Sequence, residues 1–160
     1  MTWRSTLKSK ARDTVPRFYK LGNQFSSEEN LAIAQDLIKG SLFVRDGVDE
    51  EGSTNNFAAP ALAAVVIEFF YTGPLVLGPV FPEIFTREAP KVAVCLAATA
   101  LRAAIDEYNV TGTRQDRNFE YAGYSKVFNG FIDMQRIIDA NAKHAAKTKA
   151  LRVVWATSAR

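Results

Sequence analysis

The chain has 160 residues, of which 48 % are hydrophobic and 23 % are charged, and its formal net charge is +3. This length fits one domain, and the composition is that of a globular protein able to bury a core. The single cysteine, Cys95, excludes an intramolecular disulfide, and the single histidine, His144, excludes a site built on several histidines. No P-loop, GxGxxG or GxSxG motif occurs. The sequence therefore gives no catalytic, cofactor-binding or metal-binding residue to assign.

The charge is distributed unevenly along the chain. Residues 1–20 and 134–160 each carry six basic residues and one acidic residue, whereas residues 21–133 carry eight basic and fifteen acidic residues. Two interpretations stay open: the basic ends bind a polyanion or an acidic partner, or they neutralise the acidic body within the fold. The candidate polyanion-binding residues are Arg4, Lys8, Lys10, Arg12, Lys143, Lys147, Lys149 and Arg152.

Residues 1–25 are predicted to form a basic lead-in or a first helix. Trp3, Leu7 and Ala11 recur every four residues, which predicts a short amphipathic helix that ends before Pro16. The segment lacks the continuous apolar run of a secretory signal, so we expect an intracellular protein of the cytoplasm or nucleus. Because the segment is rich in Arg and Lys and poor in acidic residues, a mitochondrial presequence is the alternative.

The predicted core domain, residues 26–139, begins with a helix capped by Ser26. Ser26 and Glu29 have the spacing of a capping box, and an apolar stripe runs on to Leu42, beyond Gly40. Residues 46–56 are acidic and rich in Gly, Ser and Asn, which predicts an exposed loop. Their carboxylates lack the alternate spacing of an EF-hand, so we predict no calcium site. Four of them, Asp46, Asp49, Glu50 and Glu51, are the candidates for neutralising a basic end.

Two apolar helices are predicted in residues 57–108. The first opens at Pro60, with Asn56 or a neighbour as its cap, and ends at Gly73-Pro74. The second spans about residues 90–108 and carries no charge between residues 92 and 101. A helix that is apolar all round is buried, and this run is far shorter than the roughly 20 residues of a membrane span. We therefore predict that the second helix is the centre of the fold.

Residues 75–85 hold too many large hydrophobic residues for a solvated loop. They either fold back over the helices, with a turn at Pro82–Phe85, or form an exposed apolar binding surface. A pocket under residues 73–87 would be the corresponding small-molecule site.

A long helical pattern begins near Phe119 and its apolar stripe fades after Ile138. Residues 140–160 form a basic, Ala- and Lys-rich tail or helix extension, which favours helix but has little to bury. The apolar patch at residues 153–155 either packs back on the body or docks on a partner.

The order and separation of these segments resemble an uncharacterised helical domain that is widespread in mushroom-forming basidiomycete fungi. The resemblance covers about residues 28–135. It rests on Asn30, the DLIKGSLFVRD segment, the helix that ends in Phe69-Phe70, FPEIF, the APKVAVCLAATALRAAIDEY helix, Gly112, Phe119, and the pair Tyr121 and Tyr124. It implies a fungal source and a helical fold, and it implies no activity.

We therefore predict an all-α protein of five or six helices in one domain around the helix at about residues 90–108. The predicted function is that of a non-enzymatic interaction module. Its partner would be a protein or, through the basic termini, a nucleic acid. The alternative is an enzyme or small-molecule binder that uses a pocket under residues 73–87.

Overall fold

The computed structural model describes residues 3–72, 81–116 and 119–158, and it confirms the all-α prediction, with seven α-helices rather than five or six. Within these residues the only β-pairing is an isolated bridge between Val48 and Thr54. A 3₁₀ segment, Lys39–Val44, follows the second helix, and a π-helical turn, Ile67–Tyr71, continues the third. The helices are α1 Trp3–Phe18, α2 Ser27–Ile38, α3 Pro60–Val66, α4 Pro82–Phe85, α5 Lys91–Asp106, α6 Tyr121–Asp139 and α7 Ala142–Ser158.

Helix α5 is the centre of the fold, as predicted, and α1, α2, α3 and α6 all pack against it. Leu101 and Ile105 are fully buried, and Val92 in the first turn is 53 % exposed. Arg102 Nε donates to Asp106 Oδ1 at 3.0 Å, the pair expected at this spacing. Burial raises the pKa of Cys95 to about 12, so this thiol is protonated and behaves as a small apolar side chain.

Helix α1 joins the same core through Leu7, Ala11 and Val15. The expected end before Pro16 is wrong, because the helix continues to Phe18. Pro16 has no N–H to donate to the carbonyl of Arg12, so α1 lacks one backbone hydrogen bond in its last turn. The N–H of Tyr19 still donates to the carbonyl of Val15 at 2.9 Å.

Helix α7 also packs on the body, contrary to the expectation that residues 140–160 have little to bury. Trp155 and Ala156 lie in the core, whereas Val153 and Val154 are exposed. The apolar patch at residues 153–155 is thus divided between the core and the surface. On α6, Ile137 faces solvent, while its neighbour Ile138 is buried.

The capping box of α2 is present: the N–H of Glu29 donates to the hydroxyl of Ser26, and the Glu29 carboxylate accepts from the N–H of Ser26. The predicted apolar stripe through Leu42 is wrong beyond Ile38. Gly40 and Ser41 have φ of 62° and 55°, which breaks the helical phase and leaves Leu42 exposed.

Helix α3 begins at Pro60 as predicted, but it has no side-chain cap. Its N-cap residue is Ala59 rather than Asn56, and Ala61 is buried. A proline in the first turn has no N–H to satisfy, which reduces the need for a capping side chain.

Residues 73–80, including the predicted helix end at Gly73-Pro74, lie outside the described residues. The expected turn at Pro82–Phe85 is present as the short helix α4. Phe85 is buried and its carbonyl accepts from the hydroxyl of Tyr71 at 2.8 Å, whereas Phe81 and Ile84 are exposed.

Asn30 and Gly112 position helix α2. The buried amide of Asn30 accepts from the N–H of Gly22 at 3.1 Å and donates to its carbonyl at 2.9 Å, so it closes the turn between α1 and α2. Gly112, which follows α5, lies so close to Ser27 that an added Cβ would stand 1.8 Å from the Ser27 carbonyl oxygen. None of the helices in the described residues has the length and apolar character that a membrane span requires.

Candidate functional site

The basic residues of α1 surround a buried carboxylate, which we call the Glu107 cluster (Lys8, Arg12, Glu107 and Asp116). The side chain of Glu107 has no exposed surface and accepts from Arg12 Nε and Nη2 at 2.9 and 2.6 Å. Lys8 Nζ lies 3.4 Å from the same carboxylate. The exposed Asp116 accepts from Lys8 at 3.2 Å and from Arg12 at 2.6 Å.

These contacts shift the pKa of two members of the cluster, Arg12 and Asp116. The hydrogen bond to Glu107 raises the pKa of Arg12, although burial opposes the effect. The hydrogen bonds from Lys8 and Arg12 lower the pKa of Asp116. A charged pair with both partners hydrogen-bonded is costly to break from one side, because it leaves a buried charge alone. Lys8 and Arg12 therefore have a structural role, because they pair with the buried Glu107 carboxylate.

The basic residues of α7 hold the acidic loop, residues 46–56. Lys147 Nζ donates to Asp49 Oδ2 at 2.8 Å, and Lys143 pairs with Glu51 and lies 3.4 Å from Asp49. The hydrogen bond from Lys147, joined by that from the N–H of Ser53, lowers the pKa of Asp49. The hydrogen bond to Glu51 raises the pKa of Lys143. Two of the four loop carboxylates thus neutralise part of the C-terminal basic group.

The other candidate cations differ in exposure. Arg152 is buried, its Nη2 lies 3.8 Å from Glu88, and its Nε and Nη1 have no hydrogen-bond partner among the described residues. Lys10 Nζ lies 3.6 Å from Glu68. Arg4 and Lys149 are exposed and have no acidic partner in the described part of the chain. Six of the eight candidate residues therefore already contact a carboxylate of the same chain.

A cavity of about 420 Å³ opens between α1, α5 and α6, and its wall is mostly apolar. We call it the aromatic pocket. The first turn of α1 contributes the exposed Trp3, the segment before α6 contributes Phe119, and α6 contributes Tyr124 and Phe128. The lining residues are Trp3, Arg4, Leu96, Thr99, Phe119, Glu120, Tyr124, Ser125, Phe128 and Asn129.

Hydrogen bonds and a ring contact connect the residues at the floor of the aromatic pocket. The hydroxyl of Tyr124 donates to Asp106 Oδ2 at 3.0 Å, and Asp106 is also paired with Arg102. The ring of Phe119 lies 5.7 Å from that of Tyr124, at an interplanar angle of 59°. Thr99 donates its hydroxyl proton to the carbonyl of Cys95 at 2.7 Å. The floor of the pocket is therefore anchored to the central helix.

A second cavity, of about 630 Å³, is more polar and lies beside the Glu107 cluster. Arg12 and Asp13 of α1, Asn23 and Gln24 of the following turn, and Arg114 after α5 contribute to its lining. Neither cavity is lined by residues 81–87, so neither is the pocket predicted under residues 73–87. No group of three or more His, Cys, Asp or Glu residues is arranged for metal binding among the described residues.

The aromatic pocket could not be found from the sequence. Its residues come from three segments, at positions 3–4, 96–99 and 119–129, and each segment by itself has the pattern of an ordinary core-facing helix. The one local signal was Trp3, a large aromatic residue among bases at the start of a helix.

Comparison with known proteins gives a family and no activity. No curated protein and no solved structure matches the chain. The basidiomycete distribution implied by the resemblance stays a prediction. The model of a domain of unknown function, DUF6532, matches residues 1–138, so the chain belongs to this family, in agreement with the predicted kind of domain.

Proposed function

We propose that this chain is a non-enzymatic protein-interaction module, whose aromatic pocket receives a side chain of a partner protein. The observation that carries the proposal is the pocket itself. Its volume of about 420 Å³ lies within the usual range of binding sites, and its aromatic lining is of the type enriched where proteins bind their partners.

A protein partner suits the open side of the pocket. Trp3 is 47 % exposed, and Arg4, Glu120 and Asn129 are also exposed on the rim. Sites for small molecules usually bury most of the ligand. An occupant of this pocket would remain in contact with solvent on one side, as a side chain on a docked polypeptide does.

The ion pairs of the basic ends favour a protein partner over a nucleic acid. Affinity for nucleic acid depends on cations that are free to neutralise phosphates. Here Lys8 and Arg12 hold Glu107, and Lys143 and Lys147 hold the acidic loop. A phosphate backbone would have to compete with these carboxylates.

We therefore expect no binding of a labelled DNA duplex in fluorescence anisotropy at about 50 mM salt, a condition that favours phosphate contacts. Binding that weakens steeply towards about 200 mM salt and is lost in the variant with Lys143, Lys147, Lys149 and Arg152 changed to Ala would instead establish nucleic-acid binding. Because Arg152 is buried, a second variant with the first three changes alone separates loss of contacts from loss of folding.

A synthetic peptide library tests the pocket directly. Each peptide has randomised flanks and a central position that includes unnatural side chains. We expect a subset of the peptides to bind. The affinity of these peptides for the Ser125→Trp variant should be at least about tenfold lower, because an indole at this position fills the pocket.

The matched control is Lys126→Trp, which places the same indole at the next position of α6, on an exposed residue outside the pocket lining. Binding should survive this change. Circular dichroism would confirm that both variants are folded. A library without binders, or binders that tolerate Ser125→Trp, would show that the proposal is wrong.

A further inference from the structure

Building on the proposed function, we infer that the side chain entering the aromatic pocket is an alkylated cation, namely a trimethylated lysine of the partner protein. The juxtaposition of four aromatic side chains with a carboxylate on one cavity points to this chemistry. These groups are Trp3, Phe119, Tyr124 and Phe128 together with Glu120.

The aromatic rings supply the attraction for a cation. The face of an aromatic ring is electronegative, and a cation within about 6 Å of its centre is attracted to it, most strongly by Trp and Tyr. Tyr124 also donates its hydroxyl proton to the Asp106 carboxylate, which adds electron density to its ring. The same electronegative ring faces would repel an anion.

The formal charges at the rim are Glu120 and Arg4, both exposed. Glu120 precedes the first residue of α6 and makes no capping bond, so its carboxylate is available to an incoming cation. Arg4 opposes a cation. Both charges are exposed and screened by salt, so they largely offset each other and the aromatic rings supply the net attraction.

The apolar wall selects an alkylated cation over an ordinary lysine. An unmodified ammonium carries three N–H donors, and each donor that loses water without gaining an acceptor costs free energy. Most of the pocket wall is carbon, with Leu96 and Phe128 among its residues. A trimethylammonium group has no N–H donor and presents methyl groups to this wall, while it keeps its charge for the rings.

Three peptides of identical sequence separate charge from shape. One carries trimethyllysine, the second its neutral isostere, in which carbon replaces the ammonium nitrogen, and the third unmodified lysine. We expect the trimethyllysine peptide to bind about tenfold more tightly than either of the others, as partly desolvated cation–π contacts would give. Calorimetry measures the affinities, and the indole N–H resonance of Trp3 reports the location.

Glu120→Gln should weaken binding of the trimethyllysine peptide about threefold and leave the affinity of the isostere peptide unchanged, since only the cation loses a charged neighbour. Arg4→Gln should strengthen binding of the trimethyllysine peptide. Lys126→Gln, which removes the same positive charge as Arg4→Gln but lies outside the pocket, should alter the binding of neither peptide.

Equal binding of trimethyllysine and its isostere would overturn the inference and leave the proposed function intact, because the pocket would then be merely apolar. Binding of free choline as tight as that of the peptide would overturn the assignment to a protein side chain. If none of the three peptides binds, while library peptides bind and lose affinity in Ser125→Trp, the inference alone is wrong. If library peptides fail as well, the proposed function is wrong too.

Discussion

Leu101→Ala is expected to lower the free energy of unfolding by about 2–5 kcal/mol, the usual cost of deleting a buried Leu side chain. Leu101 has no exposed surface and lies in the middle of α5, against which four other helices pack. A close-packed site of this kind cannot collapse fully around the missing atoms, so a cavity remains. Chemical denaturation measures the loss through the shift of the midpoint at constant slope.

Val92→Ala is the matched control on the same helix. Val92 is 53 % exposed, so its truncation should change stability by less than about 0.5 kcal/mol, the range of surface substitutions. A loss that small for Leu101→Ala would show that α5 is not the centre of the core. A large loss of stability for Val92→Ala would show that the face of α5 that carries Val92 is covered.

The centre of this fold could be predicted because its signals are local. The charge-free run of α5, the Ser26–Glu29 capping box and the proline at the start of α3 each follow from a few neighbouring residues. Burial then follows along most of the apolar run of α5, with Val92 in its first turn as the exposed exception. These features needed no knowledge of where the other helices lie.

The departures arise where tertiary contacts override local pattern. Pro16 predicted a helix end, but packing of Leu7, Ala11 and Val15 in the core favours the longer helix. Gly40 and Ser41, both at positive φ, interrupt the apolar stripe that continues from α2 in the sequence. Local spacing carries no information about either effect.

The candidate site was the least predictable part, since its contacts join residues far apart in the chain. Lys8 and Arg12 were candidates either for binding a polyanion or for neutralising the acidic body, and the carboxylate that they contact, Glu107, lies about a hundred positions away. The aromatic pocket likewise joins Trp3 to Phe128. Charge counts alone could not decide whether the basic ends face solvent or the acidic body.

Gly112→Ala is expected to lower the free energy of unfolding by about 4 kcal/mol, through two effects that add. Gly112 has φ of 79°, and a side chain at positive φ costs about 1–3 kcal/mol. The added Cβ would also stand 1.8 Å from the carbonyl oxygen of Ser27 at the start of α2. Relieving this overlap requires α2 to move from α5, and overpacking of this kind adds about 1–3 kcal/mol.

Gly52→Ala separates the two effects. Gly52 has nearly the same φ, 81°, but an added Cβ there would meet no atom within 4 Å. This variant should lose only the strain at positive φ, about 1–3 kcal/mol, and the difference between the two variants measures the close approach of Gly112 to α2. Urea denaturation of both proteins, with amide exchange of residues 27–38 as a local readout, gives this difference. Equal losses in the two variants would mean that α2 does not rest on Gly112, and that the contact between Ser27 and the end of the central helix contributes nothing to stability.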